Sequence, residues 1–194
     1  VTILAQVPRA LERFRREAIA TSRVEHPNVV AIVDFGQTED GFLFLVMEYL
    51  QGMDLEELLS IHQRLPLERT LPIIAQISDA LHCAHQANVI HRDLKPENIL
   101  LTEARGKTDI VKILDFGIAK LRGPKMRSIT MRGQVFGTPE YMSPEQARGD
   151  EIDARSDIYA IGCLAYELIC GKTPFSGEPM HVAGMHCTEI PIAP

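Results

Sequence analysis

His91-Arg92-Asp93-Leu94-Lys95-Pro96-Glu97-Asn98 is the stretch on which the reading of this chain turns, because two carboxylates, a lysine and an amide crowd into a few consecutive positions. Downstream, Asp115-Phe116-Gly117 follows a short apolar strand expected over Ile110 to Leu114, and Gly137-Thr138-Pro139-Glu140-Tyr141-Met142-Ser143-Pro144-Glu145 comes after it. Alone, an aspartate before an aromatic residue and a glycine describes an ordinary turn. The order of the three stretches carries the information.

Outward from these stretches, Leu11 to Val24 places Leu11, Phe14, Ala18 and Ile19 on one face among charged neighbours, the pattern of an amphipathic helix. His26-Pro27-Asn28 is expected to stop it. Val29 to Phe35 and Phe42 to Tyr49 are apolar, rich in β-branched and aromatic residues and joined by the polar Gly36 to Gly41, so they read as a strand hairpin. From Leu55 onward the pattern is helical: Leu55 to His62, then Leu67 to Gln86 with Leu71, Ile74, Ile77, Leu81 and Ala84 at helical spacing. Pro72 is expected to kink the second of these. Gly123 to Gln134 reads as a polar, basic loop, and Ser156 to Cys170 as an apolar helix ending at Gly171. The expected architecture is α+β, with a partial small β-bearing lobe over residues 1–50 and a mainly helical large lobe over residues 51–194.

A length of 194 residues with 45% apolar content supports a sizeable core and argues against disorder. A net charge of -6, with both signs mixed along the chain, supplies no broad positive field for nucleic acid. Cys83, Cys163, Cys170 and Cys187 have no C-x-x-C spacing and suit a reduced cytoplasmic interior without disulfides. No apolar stretch reaches membrane-spanning length and no signal-peptide pattern opens the chain, so a soluble segment is expected, any membrane anchor of a parent protein lying outside it. Gly171-Lys172-Thr173 imitates the end of a phosphate-binding loop, but Tyr166 stands at the first glycine position and a helix precedes it. His82 with His85, or His181 with His186 and Cys187, offers no convincing four-ligand zinc site.

Through the three stretches quoted above the chain resembles the protein kinases. Residues 141–150, YMSPEQARGD, are similar to the bacterial Hanks-type, eukaryotic-like serine/threonine kinases. The resemblance implies a protein-kinase-like two-lobe fold. It also implies ATP-dependent transfer of the γ-phosphoryl group to serine and threonine hydroxyls of protein substrates, with Mg2+, in signalling.

Phosphoryl transfer needs a positioned hydroxyl, metal on the phosphate oxygens and neutralisation of developing charge. Asp93 is the candidate to orient the substrate hydroxyl and accept its proton; its bland alternative is a loop-capping aspartate. Asn98 and Asp115 offer the hard oxygen ligands magnesium prefers, with nucleotide phosphates completing the shell. Lys95 places a point charge near the transferring phosphate, and by resemblance marks the serine/threonine branch. The resemblance further implies that Thr138 lies beside Asp93 and Lys95 where the substrate docks. It makes Glu17 the partner of an ATP-holding lysine, although a solvated helix glutamate is the bland alternative. It places Met47 behind the adenine, the backbone of Glu48 and Leu50 against it, Asp54 near the ribose and Leu100 in the nucleotide site; a strand end running into a turn would look the same. Asp157 suits a helix N-terminus electrostatically and by resemblance braces the catalytic loop, while Glu145 is structural. Arg92 resembles an arginine that senses a phosphorylated loop, for which Thr130 is the expected phosphosite, with a solvated loop threonine as the alternative.

The sequence departs from the family pattern at both ends. No glycine-rich loop precedes Glu17, the first lysine is Lys95, and the chain stops at Pro194 before the arginine that would pair with Glu145. The expectation is a kinase catalytic core cut at both ends. Its alternative is a non-catalytic kinase fragment or pseudokinase-like binding module. Retention of Asp93, Asn98 and Asp115 favours the catalytic reading.

Overall fold

The computed structural model describes residues 18–104, 106–116 and 138–194. Residues 18–22 are helical, with Ala18 and Thr21 buried. Ile19, expected on the inner face, is 41% exposed. The buried positions here step by three, 18, 21 and 24, which turns position 19 towards solvent.

The hairpin consists of β1 (Ile32–Gln37) and β2 (Leu43–Met47), antiparallel, with Gln37 opposite Leu43 and an irregularity between Ile32 and Asp34. It begins later than the apolar pattern suggests because Val29 and Val30 are claimed elsewhere. The Val30 N–H donates to the Ile113 carbonyl at 3.0 Å and the Ile113 N–H to the Asn28 carbonyl at 2.8 Å, so Val29 bridges Ile113. Asn28 is buried beneath this bridge, its amide nitrogen donating to Val111 O at 2.8 Å and Gln76 Oε1 at 3.0 Å. His26-Pro27-Asn28 therefore ties the chain to the main body as well as ending a helix.

A second antiparallel sheet has the order β3 (Gly52–Asp54), β4 (Ile99–Ala104), β5 (Lys107–Ile113). A Cβ at position 52 would lie 2.2 Å from the Leu101 carbonyl oxygen, so this close strand approach requires glycine. Asp54 caps α1 (Leu55–His62), its Oδ1 accepting from Glu57 N at 2.8 Å. In α2 (Leu67–Gln86) the buried stripe is Thr70, Ile73, Ile77, Ala80, Leu81 and Ala84. Leu71, expected on that stripe, is 58% exposed, since the inner face is phased on Thr70 and Ile73. The helical run is unbroken through Pro72. Ser143 and Gln146 form a reciprocal capping box on α3 (Pro144–Arg148). Asp153 caps α4 (Ala154–Cys170), which ends on left-handed Gly171, φ 73°. Pro179–Thr188 forms α5.

The main core gathers Leu55, Ile73, Ile77, Leu81, Ile99, Val111, Ile113, Leu164 and Leu168, drawn from α1, α2, β4, β5 and α4. Each such side chain contributes about 1.5–3 kcal/mol of transfer free energy when fully buried. Ala18, Leu43 and Leu45 form a separate small cluster with Ile32, Phe35 and Met47 packed against it. Val24 and Val29, inside the stretch assigned to the small lobe, join the main core instead. The class is α+β, as the sequence implied. The four cysteines are free, and among the described residues no helix is long and apolar enough to cross a membrane.

Candidate active site

The loop from His91 to Asn98 has too few residues in regular structure to hold itself, so its shape comes from partners at each end. Asp157, 1% exposed in the first turn of α4, accepts from the backbone N–H of His91 at 2.9 Å and of Arg92 at 2.8 Å. His85 Nε2 of α2 donates to the same carboxylate at 2.7 Å. This clamp holds Arg92 in the left-handed region, φ 72°, a conformation that costs a non-glycine residue about 1–2 kcal/mol. The fully buried His91 ring donates from Nε2 to Leu114 O at 2.9 Å, accepts the Asp93 N–H at Nδ1 at 3.3 Å, and meets Phe116 edge-on at 4.8 Å. At the far end Leu114 N donates to Asn98 O at 2.8 Å. Both ends of the loop are thus bonded to Leu114.

Within that frame the half-buried Asp93 has its backbone fixed on both sides, because Asn98 Nδ2 donates to its carbonyl at 2.7 Å. Asn98 spends its amide NH2 on this bond, which turns its Oδ1 into the atom left for a cation. Asp115 sits in the left-handed region at φ 57°, next to the Phe116 anchor. An amide oxygen and a carboxylate fit magnesium, and two protein ligands leave most of its shell to phosphate and water. Among the described residues no cluster of three or more His, Cys, Asp or Glu could hold a metal alone.

Lys95 Nζ lies 3.2 Å from Thr138 Oγ1 and 3.3 Å from Glu97 Oε1. The fold therefore brings Lys95 and Thr138 together across 43 positions of sequence. Thr138 opens the 3-10 turn Pro139–Tyr141, and Tyr141 Oη donates to Glu167 on α4. Burial raises the Glu167 carboxyl above the usual range, with the charges of Glu56, Glu97 and Glu140 acting in the same sense against the Tyr141 bond. Burial also raises Glu56, helped by Glu97 and Asp54 and opposed by Lys95. An acidic surround thus flanks the Lys95–Thr138 contact. Glu145 accepts from Ser156 Oγ; burial opposes its charged form, but this bond, its backbone amide and Ser143 hold it below the usual range.

The residues assigned to the nucleotide lie along β2, the segment after it, and β4. Met47 packs against the small apolar cluster. Glu48 N–H is spent on Ala31 O at 3.0 Å, so only its carbonyl remains for a base. Its carboxylate takes Lys112 Nζ and Ala31 N at 2.7 and 2.9 Å; burial opposes ionisation, yet these bonds hold it below the usual range. Asp54 is engaged as the α1 cap, and Leu100 pairs with it across β3 and β4. Leu50 is half-buried. Glu17, Gly117, Thr130 and Gly137 lie outside the described residues.

Several residues of the site were not singled out by sequence. Gln146 Nε2 donates to Arg92 O at 2.7 Å, joining the capping box of α3 to the loop. Ser143-Pro144-Glu145-Gln146 carries the S-x-x-Q capping signature, which was legible; its bond to Arg92 was not. Thr21 Oγ1 donates to Phe116 O at 3.3 Å, and His85 reaches Asp157 over 72 positions. No local pattern announces such contacts.

A protein-family model described as the protein kinase domain matches residues 4–191. Serine/threonine-protein kinase pkn3 of Myxococcus xanthus is 50% identical over 192 residues, 96% of this chain and 35% of that protein. Serine/threonine-protein kinase PknB of Mycobacterium tuberculosis is 43% identical over 195 residues, covering 98% and 30%. The crystal structure of the Mycobacterium tuberculosis PknI kinase domain, C20A mutant, superposes with a TM-score of 0.70 at 28% identity, over 90% of this chain and 64% of that one. The chain spans about a third of the length of these curated relatives. With a family model matching nearly its whole length and bacterial relatives at these identities, the chain belongs to the protein kinase domain family.

Proposed function

We propose that this chain carries the phosphoryl-transfer site of a bacterial serine/threonine protein kinase. The observation that carries the reading is the meeting of Asp93, Lys95 and Asn98 on one loop whose backbone is clamped by Asp157, with Thr138 brought to Lys95 from the turn 43 positions downstream. Preorganised groups of this kind lower a barrier because they need not reorganise as charge develops.

In the proposed reaction a serine or threonine hydroxyl oxygen of a protein substrate attacks the γ-phosphorus of ATP. The bond from that phosphorus to the β,γ-bridging oxygen breaks, ADP departs, and the hydroxyl proton passes to the Asp93 carboxylate. Lys95 neutralises charge on the transferring group while Thr138 sets the docking segment against it. Asn98 and Asp115 would hold magnesium, which when bound neutralises charge on the phosphate oxygens. The Glu48 carbonyl and the Leu50 backbone would take the adenine between Met47 and Leu100, Asp54 would face the ribose, and Glu17 would pair with a lysine that grips the phosphates. The lobes are proposed to meet at residues 49–52. Arg92 and Thr130 are proposed as receiver and site of an activating phosphate, whose two charges suit a guanidinium.

The test is phosphotransfer by the full-length protein to a basic protein substrate, with a nucleotide titration in parallel. Asp93→Asn is expected to cut turnover by about 10² to 10⁴ and leave ATP affinity within about twofold, because the carboxylate acts on the hydroxyl. Near-normal turnover in Asp93→Asn removes Asp93 from this role, and inactivity of the unmutated protein favours the binding-module alternative. Mass spectrometry after incubation with magnesium and ATP should find phosphate on Thr130, and Thr130→Ala should lower activity; full activity with Thr130 unmodified refutes the switch.

A further inference from the structure

Resting on the kinase reading and deepening it, we propose that His186 is a positioning residue for the protein substrate: it pins the Pro139–Tyr141 turn so that Thr138 stays within reach of Lys95. His186 lies on α5 and is 4% exposed. Its ring is held on several sides. The Tyr159 hydroxyl of α4 is hydrogen-bonded to Nδ1 at 2.8 Å, the Tyr159 ring meets it edge-on at 5.5 Å, and Phe175 meets it edge-on at 4.9 Å. Nε2 is buried and has no hydrogen-bond partner. The backbone of Pro139 and Glu140 approaches the same ring, and α5 packs on their turn.

Burial by itself does not call for histidine here. An apolar side chain would fill the space without the cost of about 1–3 kcal/mol that an unmatched buried polar group carries. The imidazole does what leucine cannot, which is to hydrogen-bond Tyr159 through Nδ1 while presenting its other edge to the turn. Tyr159 stands two positions after Asp157, the residue that clamps His91 and Arg92. One helix thus references both halves of the site: Asp157 sets the loop with Asp93 and Lys95, and Tyr159 through His186 sets the turn that follows Thr138. The turn's other tie to α4 is Tyr141 to Glu167. Its own backbone bonds are long, 3.3 Å from Tyr141 N to Thr138 O and 3.2 Å from Met142 N to Pro139 O. A turn of this weak internal bonding depends on what packs beneath it.

The experiment compares His186→Leu, His186→Asn and Tyr159→Phe in the full-length protein, using a serine peptide as substrate. In asparagine the side-chain amide takes the place of Nδ1 as hydrogen-bond partner of Tyr159. His186→Leu is expected to raise the peptide KM about tenfold, with kcat and the ATP KM within about twofold, the signature of lost substrate positioning. His186→Asn should restore most of that loss, and Tyr159→Phe should reproduce part of it. Hydrogen exchange should quicken at the Tyr141 and Met142 amides in His186→Leu and stay unchanged in β4. An unchanged peptide KM with unchanged exchange at 141 and 142 in a folded His186→Leu overturns the proposal. Should His186→Leu not fold, Tyr159→Phe decides: wild-type KM and exchange there overturn it equally. Absence of phosphotransfer in the unmutated protein sinks the kinase reading, and the exchange measurement still decides the pinning.

Discussion

Asp157→Ala removes, at one stroke, the acceptor of the His91 and Arg92 amides and of His85 Nε2, at 2.9, 2.8 and 2.7 Å. The carboxylate is 1% exposed and His91 is fully buried, so water does not readily replace it. Each buried donor left without a partner costs about 1–3 kcal/mol. Three of them, discounted for shared relaxation, amount to about 4–6 kcal/mol. Release of Arg92 from its left-handed conformation returns about 1 kcal/mol. The net expected loss is about 3–5 kcal/mol, a large part of the roughly 5–15 kcal/mol by which a domain is ordinarily stable. Asp157→Asn keeps one acceptor oxygen and is expected to lose about half as much. Urea denaturation read by circular dichroism measures both, with a lowered midpoint at constant slope. Hydrogen exchange at the His91 and Arg92 amides should accelerate in parallel. A loss below about 1 kcal/mol for Asp157→Ala at unchanged slope would refute the clamp, because the penalty for orphaned buried donors would be missing.

Other outcomes follow from glycines and from titration. Gly162 lies exposed within α4 with open space where a Cβ would stand, so Gly162→Ala should stabilise by about 0.5–1 kcal/mol, whereas Gly52→Ala, whose Cβ would meet Leu101 O at 2.2 Å, should lower the urea midpoint. Glu145 is held below its ordinary value against burial by the bonds from Ser156, its own backbone amide and Ser143 together, so its contribution is present above about pH 4.5 and lost as pH falls through the lower folded value. Ser156→Ala should therefore widen the stability gap to wild type at neutral pH and narrow it in acid, read from urea midpoints across pH; a gap independent of pH contradicts the assignment.

The sequence by itself settled what local chemistry can settle. Period-3.6 patterning located α1, α2 and α4, because packing of an apolar stripe is what makes those helices stable. Gly171 marked the end of α4 since a left-handed cap admits glycine without strain. The order of the stretches around Asp93, Asp115 and Thr138 led to the family. Tertiary structure decided the rest. Val29 and Val30 look like strand residues of the hairpin, yet the edge of β5 bonds the Asn28 carbonyl and the Val30 N–H on either side of Val29, and an unpaired strand edge is invisible in the sequence of either partner. Leu71 and Ile19 fit an apolar stripe by composition, but the rotation of each helix is set by the surface it packs on. The loop geometry around Asp93 depends on Asp157, His85 and Gln146, which lie 54 to 72 positions from their partners. Such contacts carry no periodic signature, because a hydrogen bond between distant residues constrains position in space and leaves the spacing in sequence free.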